Sequence, residues 1–321
     1  MSSPDLVFPL VPRQRLLGLP FGPLHSSRRG LGSDVAGSRP YRPGDDIDSI
    51  DWYASARLSS AHSADEFVVR ERFVEEGPRV VSVVDRRPSM SLYPDGLPWL
   101  SKPGAIETVL ASVSASAFAS RGFAGYLDIA DAAHPDPALR TPEPFWRSPQ
   151  SQPAYRRLEL EALGDRPFYG DDDGLEEAFA FLRDAGQLPR GTFVFVVSDF
   201  LAPPEDDVWA AALERGWDPV PVVVQDPVWE RSFPDVGGVA VPVFDPATGR
   251  REVLRMTSRE AVGRRHENEE RFRRLLDTLR DLAIEPVALS SSDPADVLEA
   301  FLEWADDRAV HATELRRGIV A

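Results

Sequence analysis

Two apolar runs of strand length deliver an acidic residue at their ends: VVSVV (80–84) leads into Asp85, and TFVFVV (192–197) leads through Ser198 into Asp199. A third acidic group, Asp171-Asp172-Asp173, stands just before the amphipathic stretch that precedes the second run. In an open parallel sheet, loops converge at the carboxyl ends of the strands and ligand chemistry gathers there. Three loops bringing carboxylates to one spot would offer the oxygen donors that a hard divalent cation such as magnesium takes. Each aspartate also has a plainer use, since Asp85 and Asp199 suit the uncovered N–H groups at the start of a following helix.

Other chemistries lack their motifs. Lys102 sits in SKPG without the glycine spacing of a phosphate-binding loop. Gly30-Leu31-Gly32 has neither the preceding strand nor the third glycine of a dinucleotide fingerprint, and no Gly-x-Ser-x-Gly elbow occurs. Histidines 25, 62, 134, 266 and 311 are scattered and show no metal-ligand spacing. The absence of cysteine removes disulfides, thiolate nucleophiles and cysteine-ligated metals together.

With 321 residues the chain is long enough to bury a core without staples, and 42% hydrophobic with 27% charged residues places it among globular proteins. A formal charge of -16 repels phosphate backbones and anionic lipid, which argues against nucleic acid as a partner. Prolines and charges interrupt every apolar stretch of MSSPDLVFPLVPRQRLLGLPFG, so no membrane span is expected there, and Arg28-Arg29 lacks the apolar segment of an export signal. A cytoplasmic location is the expectation.

These aspartates need elements to place them. Up to about Glu76 the chain is rich in Gly, Pro, Arg and Ser and reads as loops with a few short strands, Glu66 to Phe73 the clearest, plus a short helix near Asp51 to Leu58. From Arg79 onward, strand-length apolar runs alternate with longer amphipathic stretches, the pattern of a parallel sheet covered by helices. Strands are expected at 80–84, 125–129, 192–197, 220–224 and 284–289, and helices at 101–121, 171–185, 208–215, 258–282 and 296–304. Ser101, Pro103 and Gly122 mark the ends of the first helix. Runs 239–244 and 251–256 around Asp245-Pro-Ala-Thr-Gly249 read as a projecting β-hairpin. The proline-rich stretch 134–166 reads as a long excursion with some helix near 154–163.

Asp85-Arg86-Arg87-Pro88-Ser89-Met90 resembles the first loop of a von Willebrand factor A-like domain, where Asp-x-Ser-x-Ser ligates a metal ion. Asp199 is similar to that family's later aspartate, and YGDDDGLEEAF sets Asp173 where its middle loop carries threonine. Upstream, residues 22–57 followed by EFVVRERFVEE resemble the bacterial domain of unknown function 58 family, with Arg39, Tyr41, Gly44, Asp45, Ile50, Asp51, Trp52, Ala56 and Arg57 at the family's spacing. That resemblance implies a β-rich lead-in, an A-like domain, and a MoxR-type AAA+ ATPase as partner in chaperone-like assembly or metal insertion.

Departures from the pattern shape the site. Arg87 replaces the serine expected at the third position of the first loop, and a guanidinium carries fixed charge and planar donors suited to carboxylates. Set among Asp85, Asp173 and Asp199, it would take over the electrostatic role of the cation. If Arg87 instead points to solvent, magnesium at Asp85, Ser89 and Asp199 is the alternative. Arg87 also stands where haloacid-dehalogenase-type phosphatases carry their second aspartate, which weakens that reading.

The expectation is therefore an α/β fold, a doubly wound and mostly parallel sheet of the von Willebrand factor A type with a small β-rich N-terminal region. Its parts are 1–77, carrying the signature, 78–310, the sheet domain, and 311–321, a tail. The function expected is a non-catalytic protein-interaction module with a degenerate metal site at Asp85, Arg87, Ser89, Asp173 and Asp199; the alternative is a metal-dependent hydrolase using the same aspartates. Arg39, Tyr41, Gly44, Asp45, Asp51, Trp52 and Arg57 are expected to be structural, with Arg39, Asp45, Asp51 and Arg57 pairing to orient the lead-in and Trp52 an aromatic of the core.

Overall fold

A computed structural model describes residues 6–13, 25–40, 50–62, 67–75, 77–93, 99–141, 143–151, 166–184 and 188–319. The chain divides into two compact units: Arg15–Gly77, and Met1–Gln14 together with Pro78–Ala321. Residues 6–13 thus join the sheet unit and not the lead-in, where the sequence places them.

In the smaller unit, β1 (His25–Pro40) pairs antiparallel with β2 (Val68–Glu75), with register shifts along the ladder. Between them lies α1 (Trp52–His62). Asp51 caps this helix by accepting from the Ala54 N–H at 3.0 Å, and the buried Ser55 hydroxyl accepts from the Val68 N–H at 2.8 Å, tying helix to strand. A 16-residue strand was not expected here, because glycine and serine in this stretch hide the period-2 alternation by which strands are recognised.

The larger unit is built on a six-stranded sheet in the order β10-β7-β6-β3-β4-β5. Its strands are β3 (Arg79–Val84), β4 (Phe123–Asp128), β5 (Phe145–Gln150), β6 (Phe193–Ser198), β7 (Asp218–Val224) and β10 (Val287–Leu289). Pairing is parallel throughout except at β5, which closes one edge antiparallel to β4. β5 lies inside the stretch read as an excursion; its Pro149 is tolerable because an edge strand need not donate on both sides. The helix expected near 154–163 lies outside the described residues.

β3, β6 and β7 are rich in valine and phenylalanine and almost wholly buried because both of their faces are covered. One face meets α3 (Gly174–Asp184), α4 (Asp206–Glu214) and α5 (Ser258–Asp281), where Leu175, Phe179, Trp209 and Leu279 pack on Val81, Val83, Val194 and Val196. The other meets α2 (Lys102–Ala119), against β3 and β4, and α6 (Pro294–Ile319), against β10. α6 extends far beyond the helix expected at 296–304 and takes in most of the residues set apart as a tail.

An irregular N-terminal segment completes this second face. Phe8 is 2% exposed, stacks on Phe301 with ring centroids 4.3 Å apart, and donates its N–H to Ser116 Oγ at 3.0 Å. Three residues later the Val11 carbonyl accepts from Arg308, which also pairs with Asp218 at 3.0 Å.

Starting from β5, the chain order of the six sheet strands is 3-2-1-4-5-6, so the winding reverses between β3 and β6. That reversal opens the crevice in which doubly wound sheets hold ligands. Asp85 and Asp199 follow these two strands. The fold is the expected doubly wound, mostly parallel α/β sheet with helices on both faces.

Candidate functional site

β3 and β6 are adjacent and in register, so their last residues emerge side by side, and the Asp85 N–H extends the ladder by donating to the Val197 carbonyl at 2.9 Å. After β6 the chain turns sharply. Phe200, a buried aromatic, adopts φ 49°, a left-handed conformation that costs a residue with a Cβ about 1–3 kcal/mol. Two bonds hold the turn: the Phe200 N–H donates to Ser198 Oγ at 2.9 Å and the Leu201 N–H to Asp199 Oδ1 at 3.0 Å.

Arg87 folds inward, not out to solvent. Its Nε and Nη2 grip Asp85 Oδ2 at 3.0 and 2.7 Å, and Nη2 also reaches Asp199 Oδ1 at 3.1 Å. The Ser198 hydroxyl donates to Asp85 Oδ2 at 2.6 Å. Asp85, Arg87 and Asp199 are all buried.

A second cation comes from α2. Lys102, in the first turn after the Ser101 cap, is completely buried; its Nζ lies 2.9 Å from Asp199 Oδ2 and 2.6 Å from Glu230 Oε1. Glu230 in turn accepts from the Asp226 N–H at 2.8 Å, and Asp226 accepts from the indole of Trp99 at 2.7 Å. The result is a continuous line of alternating charge: Asp85, Arg87, Asp199, Lys102, Glu230.

Protonation follows this geometry. Burial alone would raise Asp199, but Lys102 and Arg87, helped by the Ser89 hydroxyl and the Leu201 N–H, hold its carboxyl below the ordinary aspartate range. Burial would likewise lower Arg87, and Asp85, Asp199 and Asp172 overcome it, so its pKa is raised. At Glu230 burial outweighs Lys102, and the carboxyl sits above its ordinary value. Tyr93, in the left-handed region at φ 60°, has its hydroxyl pKa raised by burial and then by Glu230, Asp226 and Asp199.

The third acidic loop approaches but stays outside. Gly170 packs against the neighbouring loop: its N–H donates to the Arg86 carbonyl at 2.9 Å, and a Cβ there would meet the Ile129 carbonyl oxygen at 2.9 Å. Of the three aspartates that follow, Asp172 comes to 3.8 Å from Arg87 Nη1, with its side chain 91% exposed. Asp173, the residue expected beside Arg87, is exposed and forms no ion pair with it among the described residues; its carbonyl accepts from the Glu177 N–H in the first turn of α3. The middle-loop expectation is thus off by one residue, and the contact that exists is long and solvated.

Arg86 takes the opposite direction. Fully buried, it reaches Asp128 Oδ2 at 3.0 Å and the Tyr126 hydroxyl at 2.8 Å, while Arg166 holds Asp128 Oδ1 at 2.7 Å. Two consecutive arginines after β3 therefore neutralise the acids that end the strands on either side, β4 and β6. Sequence reading missed Lys102, Glu230, Arg86 and Asp128. Lys102 is the only lysine in the chain, and that rarity was the one signal at hand.

Of the signature residues that are described, Trp52 departs from expectation. Trp52 is 60% exposed rather than buried, packing edge-on against Phe67 with centroids 6.0 Å apart. Arg57 is exposed and lies 5.9 Å over the Tyr53 ring. Asp51 caps its helix, and Arg39 lies on β1. Tyr41, Gly44 and Asp45 lie outside the described residues, so the pairing expected of Asp45 does too.

Among solved structures the chain is similar to the conserved hypothetical protein BatB from Bacteroides thetaiotaomicron, at 16% identity over 73% of this chain and 99% of that one, with a TM-score of 0.38. An aerotolerance-related membrane protein from Bacteroides fragilis matches at 11% identity over 72% of this chain and 100% of its own, with a TM-score of 0.39. The pilus adhesin SpaC from Lactobacillus rhamnosus GG matches at 14% identity, TM-score 0.34, over 72% of this chain but 30% of its own length. No curated protein matches. No helix among the described residues is long and apolar enough to cross a membrane. The model of the family described as "Protein of unknown function DUF58" matches residues 37–274, most of the chain, and the protein belongs to that family.

Proposed function

We propose that this protein is a non-catalytic interaction module with a sheet of the von Willebrand factor A type, in which built-in cations stand where a metal ion would otherwise bind, and that it partners a MoxR-type AAA+ ATPase in chaperone-like assembly. The observation that carries the reading is the double capture of Asp199, by Arg87 at 3.1 Å and Lys102 at 2.9 Å. Magnesium at Asp85, Ser89 and Asp199 does not fit these neighbours. A divalent ion there would sit against two fixed positive charges and compete for carboxylate oxygens that already accept from Arg87, Lys102, Ser198 and backbone N–H groups. Among the described residues, no group of three or more His, Asp or Glu side chains is arranged to hold a metal.

What favours an interaction module over a metal-dependent hydrolase is the same pairing. Asp85 is gripped by Arg87 and Ser198, so its carboxylate has no free lone pair directed at a substrate, and Ser198 is itself fully buried. The paired charges fix the shape of the crevice mouth, leaving the half-buried Ser89 and the exposed Asp171, Asp172 and Asp173 as the surface a partner meets. The test is co-purification of the full chain with the MoxR-type ATPase encoded in the same genome, with and without D172R. Retention by the wild-type chain and loss with D172R support the reading. Turnover of a phosphoester substrate that is abolished by chelation overturns it.

A further inference from the structure

The β-hairpin beyond β7 carries a second surface, separate from the strand-end cluster. β8 (Ala240–Phe244) and β9 (Arg251–Arg255) form a sheet of their own, joined by a turn whose chemistry specifies it. Asp245 accepts from the Ala247 N–H at 2.9 Å and the Thr248 hydroxyl at 2.6 Å, and Gly249 supplies φ 70°. At the base, the Gly238 N–H donates to the Met256 carbonyl at 2.8 Å, and Gly237 packs so closely on Ser258 that a Cβ would meet its Oγ at 2.2 Å. The hairpin is thereby fixed to the start of α5, where Thr257 and Glu260 form a capping box.

Register separates its two faces. Ala240 pairs with Arg255, Pro242 with Val253 and Phe244 with Arg251, so these residues share one face, and all of them are exposed. The opposite face carries Val241, which is buried. The outer face is thus an apolar strip, with Phe244 50% and Val253 64% exposed, bracketed by Arg251 and Arg255. Neither arginine forms an ion pair among the described residues. A two-stranded sheet is marginal by itself, and here it leaves uncovered the apolar face that would ordinarily be buried against another layer.

We propose that this face docks an extended acidic segment of a partner protein, one apolar side chain lying on Phe244 and Val253 between two carboxylates that pair with Arg251 and Arg255. Charge complementarity selects the partner. On a strand, residues four apart on one face are separated by about 13 Å, so the matching segment carries acids at i and i+4 with an apolar residue at i+2. The formal charge of -16 repels any acidic partner at long range, so binding depends on local contact with both Arg251 and Arg255. The inference stands independently of the strand-end reading, since it shares none of its residues.

The probe is a fluorescein-labelled peptide repeating Glu-Ser-Leu-Ser-Glu, titrated against the full-length protein by anisotropy, beside the same peptide with lysine for glutamate. The expected result is saturable binding of the acidic peptide alone, weakened at least tenfold by R251E/R255E and also by F244S, and weakened by added salt. D172R, which alters the strand-end face, leaves this binding unchanged. No binding, equal binding of the two peptides, or binding indifferent to R251E/R255E overturns the proposal. So does sedimentation of the wild-type chain with phosphatidylserine vesicles, or a dimer in analytical ultracentrifugation that R251E/R255E dissolves.

Discussion

Lys102 Nζ, in the first turn of α2, lies 2.9 Å from Asp199 Oδ2 at the end of β6, and neither side chain is exposed to solvent. Removing one partner from such a pair leaves a buried charge uncompensated, at about 3–5 kcal/mol. K102M should lower unfolding stability by that amount in urea denaturation. Neutralising the partners as well, in K102M/D199N/E230Q, should recover part of it; a K102M variant as stable as wild type would show that the ion pair contributes nothing.

The two acids that hold Lys102 titrate in opposite senses. Asp199 is depressed, so its contribution is present above the unfolded aspartate value near 3.9 and is lost as pH falls through the lower folded value. Glu230 is raised, so its contribution is full below the unfolded glutamate value near 4.3 and is lost as pH rises through the higher folded one. In urea unfolding across this range, the stability of E230Q relative to wild type should rise with pH, and that of D199N should fall. Parallel curves would contradict both assignments.

Much of the sheet was legible because burial on both faces leaves an unbroken apolar run, as in 192–197 and 220–224, and each such run became a strand. Lys102 was not legible. A lysine in the first turn of a helix is ordinary in sequence, and only the fold brings it beneath the loop after β6. Glu230 lies in a connection with no periodicity to mark it. The resemblance to the family's middle loop points to Asp173 rather than Asp172, and in a turn a one-residue step reverses which side chain faces the neighbouring loop. β5 escaped because its proline and the polar Arg147, Ser148 and Gln150 break any apolar run, as suits a half-covered edge strand.

Gly170 sets the acidic loop against the loop after β3, with the Arg86 carbonyl carbon and oxygen 3.0 and 3.2 Å from where a Cβ would stand. These neighbours are backbone and cannot swing away. G170A should destabilise by about 1–3 kcal/mol and displace Asp172 from Arg87, read as a lower melting temperature together with amide shifts across residues 171–173. An unperturbed loop would mean that the close approach is not what positions it.

The N-terminal segment is part of the sheet unit's core although no periodicity marks it. F8A empties a site between Phe301, Phe195 and Trp304 and should cost about 3–5 kcal/mol. Deleting residues 1–13 should destabilise at least as much. Near-wild-type stability in the deletion would show that the segment is dispensable decoration.

The central claim is that Arg87 and Lys102 fill the electrostatic role of a metal at the ends of β3 and β6. Calorimetric titration of magnesium into the unaltered protein, beside R87S and R87S/K102M, tests it most directly. The account predicts no binding heat for the unaltered protein, and binding that emerges in R87S and strengthens in R87S/K102M as each fixed charge is removed. Tight one-to-one magnesium binding by the unaltered chain would contradict it.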